Sequence, residues 1–489
     1  MKYNVVIGME VHVEMKTESK MFCACRNGLG LEKEPNVHIC PVCTGQPGAL
    51  PTPNRKAIES VQRAGLALGC TLRLHSKFDR KNYFYPDLPK GYQISQYDEP
   101  FCEGGSLRVL GDKDVHITRI HMEEDTGKST HPAGADYTLV DYNRSSVPLM
   151  ELVTEPDIES SAEAKAFCQK LQQILRYIDI SDADMEKGQM RCEVNLSLHT
   201  EGTEKLSGTK VEVKNINSFR AVERAIEYEI KRQTAALDAG ETIVQETRGW
   251  DEGKQATVSQ RKKESAHDYR YFPEPDIPPF TFTAAYVEEL RASLPELPDA
   301  KAKRFMEQFG VSESDAALLT AEREFAAYYE QVVSELESKI ASGEAPLERE
   351  KVSKLAANYM ITELRKHLAK EGEHIKDIRI TPENFAEFIG VVAGGKINSS
   401  AAQTVLEEMY RSGADPEHVI DEKNLAQVSD TGELETIVDT VLSANEKSVT
   451  DFKAGKENAF QFLIGQVMKE TKGKANPKVA AELLRKKLS

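Results

Sequence analysis

The spacing of the apolar residues changes once along the chain, and this change limits the possible folds more than any other feature. Up to about Ile277, short β-branched or apolar runs alternate with Gly, Pro and Asn turns, which is typical of strands with a few inserted helices. After Leu294, Ala, Leu, Glu and Lys recur at helical spacing. We therefore predict an α+β protein, in which a domain built on an antiparallel sheet precedes all-helical domains.

Two breaks in the sequence predict the domain boundaries. Four prolines in Tyr271–Pro279 remove backbone donors and mark the exit from the first domain. A weaker break is the turn Gly413–Pro416. A chain of 489 residues is too long to fold around a single hydrophobic core. We therefore predict three domains, at residues 1–293, 294–412 and 413–489.

Composition and charge narrow the class of protein. The apolar residues near the amino terminus are cut short by Glu10, so neither a signal peptide nor a membrane span is expected, and we predict a cytoplasmic protein. The formal net charge of −16 argues against a nonspecific nucleic-acid coat. Any nucleic acid must therefore be bound locally.

The segment Ile7–Lys16 is predicted to be a strand with two chemically distinct faces. Side chains alternate sides along a strand, so an apolar face lies opposite one that carries Glu10, His12 and Glu14. Similar alternation occurs at residues 191–197 and 210–214. Carboxylates also occur in runs 121–125 and 149–155. Such a face suits Mg²⁺ and nucleotide phosphates. An antiparallel sheet commonly leaves one face to water, however, and the pattern alone slightly favours such a solvated surface.

Helix caps and a P-loop-like motif can be interpreted from short stretches of sequence. Ser160–Glu163 is a capping box, and Ser218 and Gly240 are suited to begin and end a second helix. Gly127-Lys128-Ser129 resembles the end of a P-loop, but position 122 is Met where that motif needs glycine. The sequence therefore argues against a P-loop kinase.

Four cysteines form two close pairs, Cys23-x-Cys25 and Cys40-x-x-Cys43. Four thiolates fill a tetrahedral zinc site and leave no position for substrate, so we predict a structural zinc ion. The alternatives are reduced loop thiols and, less favoured, a redox pair.

These motifs together resemble the B subunits of the heterotrimeric glutamyl-tRNA(Gln)/aspartyl-tRNA(Asn) amidotransferases over essentially the whole chain. The resemblance rests on blocks that keep their order along the sequence. The blocks are residues 7–14, 77–87, 91–96, 121–125, 140–144, 150–157, 214–219, 246–248 and 268–276.

The resemblance implies a fold and a reaction. The fold is an antiparallel-sheet cradle domain, followed by a helical domain and a helical tail similar to the YqeY proteins. The reaction uses ATP to phosphorylate the side-chain carboxylate of Glu-tRNA(Gln) or Asp-tRNA(Asn), and ammonia then displaces phosphate. The chain has no amidase-like serine motif, so the resemblance implies that an amidase-type A subunit supplies ammonia and that a small C subunit holds the two together.

The resemblance also implies site residues. It suggests Glu10, His12, Glu124 and Glu151 as the catalytic magnesium site, and Glu123 and Glu155 as close supports. The basic residues Arg191 and Lys210 are predicted to contact the nucleotide. The predicted ammonia path is lined by Lys77, Asp79, Arg80 and Lys81, for which ordinary surface charge is the alternative.

The carboxyl-terminal segment Lys469–Ser489 is locally basic, with seven Lys and Arg residues against two Glu. Pro477 is expected to start a final helix. A solvated helix end is an equal alternative, but the resemblance favours tRNA contact by shape and phosphate. The predicted contact residues are Lys469, Lys472, Lys474 and Lys478.

Two rival functions remain open from the sequence. One is an ATP-dependent amide-forming enzyme whose substrate is a free carboxylic acid, and the other is a zinc-stabilised RNA-binding or assembly subunit without catalytic activity. Which mischarged tRNA serves as substrate also stays open.

Overall fold

The computed structural model describes residues 2–262, 269–343, 348–427, 431–453, 455–471, 474–475 and 477–488. The chain forms two compact units, Met1–Leu297 and Pro298–Ser489. The predicted α+β class is confirmed, because the named strands all lie in the first unit and the named elements of the second are helices. The finer division at residues 293 and 412 stays a proposal.

Most strands of the first unit are short, and the three longest are β1, β8 and β12. The strands are β1 (Tyr3–Glu14), β2 (Thr71–Leu72), β3 (His75–Ser76), β4 (Asp79–Asn82), β5 (Tyr92–Ser95), β6 (Cys102–Glu103), β7 (Ser106–Arg108), β8 (Asp114–Glu124), β9 (Lys128–Thr130), β10 (Leu139–Asp141), β11 (Pro148–Thr154), β12 (Met190–Thr200), β13 (Val211–Ile216), β14 (Glu246–Asp251), β15 (Ala256–Lys262), β16 (Phe272–Pro273) and β17 (Phe280–Thr281).

Helices occur in both units. Those of the first unit are α1 (Arg55–Ala67), α2 (Ser161–Tyr177), α3 (Phe219–Asp238) and α4 (Ala284–Ala292). Those of the second are α5 (Pro298–Phe309), α6 (Glu313–Leu319), α7 (Arg323–Ala341), α8 (Arg349–Tyr359), α9 (Arg365–Glu371), α10 (Pro382–Ala393), α11 (Ser399–Ser412), α12 (Pro416–Glu422), α13 (Thr431–Ala444), α14 (Glu446–Lys453), α15 (Glu457–Glu470) and α16 (Pro477–Leu488).

Strand β1 lies in the middle of the main sheet, whose order is β15-β14-β13-β12-β1-β11-β8-β6-β2, with β7 also paired to β8. The pairings are antiparallel except for β13 with β14, which run parallel. Opposite His12 stand Arg191 on one side and Glu151 on the other. Side chains from five strands therefore share one face around β1.

The other face of the sheet is the core of the first unit. Ile7, Met9, Val11 and Val13 are fully buried, as the alternation predicted, and they share one apolar cluster with residues of α2 and α3. Both helices begin as predicted, because the Ser160 and Ser218 side chains each accept a backbone hydrogen bond three residues on. Gly240 has φ +75° just past α3, as its predicted ending requires.

Helix α3 also carries a buried carboxylate, Glu229, that joins it to the edge strand β15. Arg232 and Gln233 donate hydrogen bonds to Glu229, and so does the Thr257 hydroxyl. Burial opposes ionisation of this carboxyl, yet these hydrogen bonds, with the charge of Arg232, lower the pKa of Glu229 below its ordinary value.

A small sheet, in the order β16-β4-β5, contacts β8 of the main sheet through β5. Arg80 on β4 forms a two-point ion pair with Glu274, whose side chain is fully buried. The Arg80 Nε to Glu274 Oε2 distance is 2.7 Å, and Nη2 to Oε1 is 2.9 Å. The Arg80 guanidinium also lies 4.2 Å from the ring centre of Tyr92.

The second unit contains two separate apolar clusters. The first spans Phe305 to Ile420, and the second spans Leu434 to Leu488. Val419 and Ile420 of α12 belong to the first cluster, so packing continues past the predicted boundary at residue 413. None of the described helices is long and apolar enough to cross a membrane.

Candidate active site and metal centres

Two imidazoles and two carboxylates meet on the polar face of the sheet beside β1. The His12 Nε2 atom lies 3.2 Å from Glu151 Oε2 and 3.7 Å from Glu123 Oε1. His121 Nε2 lies 3.3 Å from the same Glu151 oxygen. The β-register explains this cluster, because Glu151 stands opposite both His12 and His121 on neighbouring strands.

The ionisation of this cluster is strongly coupled. Burial alone would lower the pKa of His12, but Glu151 and Glu123 outweigh it and raise that pKa to about 9. Burial likewise opposes the charged form of Glu151, but His121 and His12 lower its pKa below the ordinary value. One ligand atom from each of His12, Glu123 and Glu151 lies within 4.8 Å of the others, so the three could hold a metal ion.

A second acidic cluster lies two residues along β1. Glu10, Glu193 and Glu212 also offer ligand atoms within 4.8 Å of one another. Asn195 donates to Glu10 Oε1 at 2.7 Å, and Lys214 Nζ lies 2.7 Å from Glu193 Oε2. Burial raises the pKa of Glu10, and the negative charge of Glu151 adds to this effect. The two acidic clusters are therefore electrostatic neighbours on one face.

Beyond His12, the same face carries a buried carboxyl pair held by arginines. Arg191 Nη2 donates to Asp125 Oδ2 at 2.7 Å, and Arg144 Nε lies 3.7 Å from the same oxygen. Burial and the adjacent Asp125 carboxylate raise the pKa of Glu14 to about 9. We call the polar face that carries Glu10, His12 and Glu151 the active face. Arg191, a predicted site residue, forms an ion pair with Asp125 at the end of this face.

Three predicted site residues lie away from the His12 cluster. Glu124 points to the opposite side of β8 from Glu123, where Lys90 and the Ile94 amide bind its carboxylate. Glu155 follows a register shift after Val153 and accepts a hydrogen bond from the Thr118 hydroxyl. Lys210 is exposed and precedes the first residue of β13. The carboxylate beside His12 is therefore Glu123.

The predicted ammonia-path residues divide between two sides of β4. Lys81 is half-buried, and its ammonium lies 5.1 Å from the Tyr269 ring centre. Burial would lower the pKa of Lys81, but Glu123, Tyr271 and Glu151 raise it above its ordinary value. The Lys81 ammonium is therefore close enough to the His12–Glu123–Glu151 cluster to interact with its charge. Lys77 Nζ lies 2.9 Å from Asp79 Oδ1. Arg80 projects to the other side, toward Glu274.

The four paired cysteines converge in a loop beside the sheet. Their sulfur atoms lie within 4.8 Å of one another, and Cys40 Sγ and Cys43 Sγ are 3.8 Å apart. Zinc–sulfur bonds of about 2.3 Å in a tetrahedron separate the sulfurs by about 3.8 Å, so the geometry fits zinc. The Cys40 amide donates to Cys43 Sγ, and the Cys23 thiol and this amide help to lower the pKa of Cys43 to about 5.

The tail lysines are only partly described. Lys469 is exposed at the end of α15, and Lys474 is half-buried. Lys478 lies in α16, which begins at Pro477 as predicted, whereas Lys472 falls outside the described residues. Of the tail lysine side chains that the structure describes, Lys469 and Lys474 are not brought together into a defined site.

Several residues of the active face were absent from the predicted site. Two of them stand opposite predicted residues on neighbouring strands, His121 opposite Glu151 and Glu193 opposite Glu10, a signal that appears only when the order of the strands is known. The full set lies around the His12 and Glu10 clusters. They are Glu14, Asp125, His121, Arg144, Glu193, Glu212 and Lys214.

The fold and the site define a class of protein in which a sheet presents an acidic face that could hold a cation, and helices follow. The family described as the GatB/GatE catalytic domain matches residues 5–288, and the GatB domain matches residues 344–488. The B subunit of the aspartyl/glutamyl-tRNA(Asn/Gln) amidotransferase from Carboxydothermus hydrogenoformans is 49% identical over 100% of this chain and 99% of its own. Its counterpart from Dehalococcoides mccartyi strain 195 is 47% identical over 100% and 99%. The chain therefore belongs to the GatB family.

Proposed function

We propose that this chain activates the side-chain carboxylate of a glutamyl or aspartyl residue esterified to tRNA(Gln) or tRNA(Asn). A carboxylate resists attack by ammonia until one of its oxygens becomes a good leaving group. Transfer of the γ-phosphoryl group of ATP to that oxygen releases ADP and gives an acyl phosphate. Ammonia then attacks the acyl carbon, phosphate leaves, and loss of a proton yields the amide.

The observation that carries this proposal is the pairing of the His12–Glu123–Glu151 cluster with the Glu10–Glu193–Glu212 cluster on one face. Phosphoryl transfer depends mainly on placement and charge neutralisation. Oxygen donors in such numbers suit Mg²⁺, which would neutralise phosphate charge when bound. His12 can serve as a ligand only in its neutral form, and Lys81 faces the same cluster as a cation.

Other parts of the proposal rest on the family and on local chemistry. An A subunit supplies ammonia from glutamine, the complex is held together by a small C subunit, and Lys77, Asp79 and Lys81 lie along the ammonia route. The basic tail contacts tRNA, and a reaction on aminoacyl-tRNA places the protein in the cytoplasm. The four cysteines hold a structural zinc ion.

The decisive experiment is amidation of each mischarged tRNA by the reconstituted complex, with and without ATP. We expect His12→Ala and Glu151→Gln to abolish ATP-dependent amidation while the complex still assembles. Glu155→Gln is the matched control, since Glu155 lies outside both clusters, and it should retain activity. Full activity of His12→Ala would instead support a noncatalytic role in assembly.

A second measurement separates the proposal from an enzyme that acts on free acids. ATP hydrolysis by the complex is followed with mischarged tRNA, with uncharged tRNA, and with free glutamate or aspartate. We expect turnover only with the mischarged species. Equal turnover with the free amino acid would contradict a tRNA-linked substrate.

A further inference from the structure

Lys20 is a fully buried lysine whose ammonium points at the cysteine group. Its Nζ atom lies 3.7 Å from Cys43 Sγ and donates to the Tyr142 carbonyl oxygen at 3.2 Å. The backbone is fixed as well, because the Lys20 amide donates to the Cys25 carbonyl oxygen at 2.9 Å. The position of this side chain is therefore determined by the cysteine loop itself.

A buried ammonium requires a counter-charge. Lysine is almost never fully buried unless it is paired, because desolvation of an isolated charge costs several kcal/mol. Among the described residues, no carboxylate forms an ion pair with Lys20 within 4.0 Å. Cys43 is the anion-forming group in contact with it. Neutral thiols would leave this charge uncompensated.

The charge of an occupied site would match this arrangement. Four thiolates around a divalent cation carry a net charge of about −2, and such a charge is itself costly to bury. The Lys20 ammonium would halve it. We propose that Lys20 is the counter-ion of the metal–thiolate group and thereby strengthens metal binding, an inference that rests on the zinc occupancy proposed above.

The contacts of Lys20 extend this role toward the active face. Tyr142, which accepts from Lys20, begins a segment in which the Ser145 hydroxyl donates to the Cys43 carbonyl oxygen at 2.8 Å. One residue further, the Ser146 amide donates to the Asp125 carbonyl oxygen at 2.8 Å. The cysteine loop and Lys20 are thus linked by hydrogen bonds, through residues 142–146, to the backbone of Asp125.

The test compares zinc binding by the full-length wild type, Lys20→Met and the matched control Lys16→Met, whose lysine is exposed and paired with Asp179. Stoichiometry comes from elemental analysis, and affinity and release rate come from competition with a chromogenic chelator. Loss of one outer-shell partner typically weakens metal binding about 10- to 100-fold. We expect that loss for Lys20→Met and wild-type values for Lys16→Met.

A double-mutant cycle with Cys25→His distinguishes charge from packing. A neutral imidazole removes one negative charge from the group and so roughly halves the Coulomb attraction of Lys20. If the role is electrostatic, Lys20→Met should then cost only about 3- to 10-fold in affinity, the square root of the loss expected in the wild-type background. Cobalt(II) absorption verifies that each variant keeps tetrahedral coordination. An unchanged affinity of Lys20→Met, or an equal loss in the Cys25→His background, overturns the counter-ion role. A wild type without stoichiometric zinc overturns the zinc proposal itself.

Discussion

The ion pair between Arg80 and Glu274 offers a sharp test of how the small sheet is held together. Glu274 has no side-chain exposure, and Arg80 binds both of its oxygens. Arg80→Met leaves a buried carboxylate without its cation. Breaking a buried pair from one side typically costs about 3 to 5 kcal/mol, whereas replacing both partners with apolar residues is often close to neutral.

The assay uses the single tryptophan of the chain as a local probe. Trp250 is buried in the same apolar cluster as Phe78, which immediately precedes β4, and Ile94, which stands opposite Arg80 on β5. Its fluorescence during urea unfolding therefore reports the first unit of the full-length protein. With a slope of about 3 kcal/mol/M, Arg80→Met should lower the midpoint by about 1 M or more.

Two controls decide the interpretation. The double variant Arg80→Met with Glu274→Met should recover most of the lost stability. Arg73→Met breaks a pair with Glu103 that is partly exposed on both sides, so it should cost less than about 1 kcal/mol. If Arg80→Met costs no more than Arg73→Met, or if the double variant is as unstable as the single one, the reasoning is refuted.

Three further predictions use simpler changes. Ser160→Ala removes the cap of α2 and should lower the stability of the first unit by about 1 kcal/mol, measured by Trp250 fluorescence; an unchanged midpoint would contradict it. The lowered pKa of Glu229 means that its stabilising effect is complete above its ordinary value near 4.5 and is lost as the pH falls further. The advantage of wild type over Glu229→Gln in urea should therefore shrink between pH 6 and pH 3, and a constant difference would argue against it. Deleting residues 469–489 should weaken tRNA retention on filters while leaving the Trp250 transition in place, and unchanged retention would exclude a tail contact.

Local patterns in the sequence predicted the features that depend on neighbouring residues. The two faces of β1, the caps at Ser160 and Ser218, and the start of α16 at Pro477 each follow from spacing or from one side chain. The convergence of four cysteines also follows, because two close pairs need only one loop to bring them together.

The structure differs from the predicted grouping of site residues where strand parity matters. Glu123 and Glu124 are adjacent, so the choice of the carboxylate beside His12 depends on which face of β8 each occupies. Pairing of His121 with Glu151 places Glu123 on that face. Glu155 was predicted as a close support of the site, four residues after Glu151, but the register shift after Val153 breaks the strand alternation. Neither the strand partners nor this irregularity is visible in the sequence.

The central place of β1 has a consequence during synthesis on the ribosome. Its two neighbours, β11 and β12, lie roughly 140 and 190 residues later in the chain. At a translation rate of about 5 to 20 residues per second, about 10 to 40 s pass between the synthesis of β1 and that of β12, its second neighbour. A strand with one apolar face and both edges unpaired is prone to aggregate, so the nascent chain should depend on a chaperone over that interval.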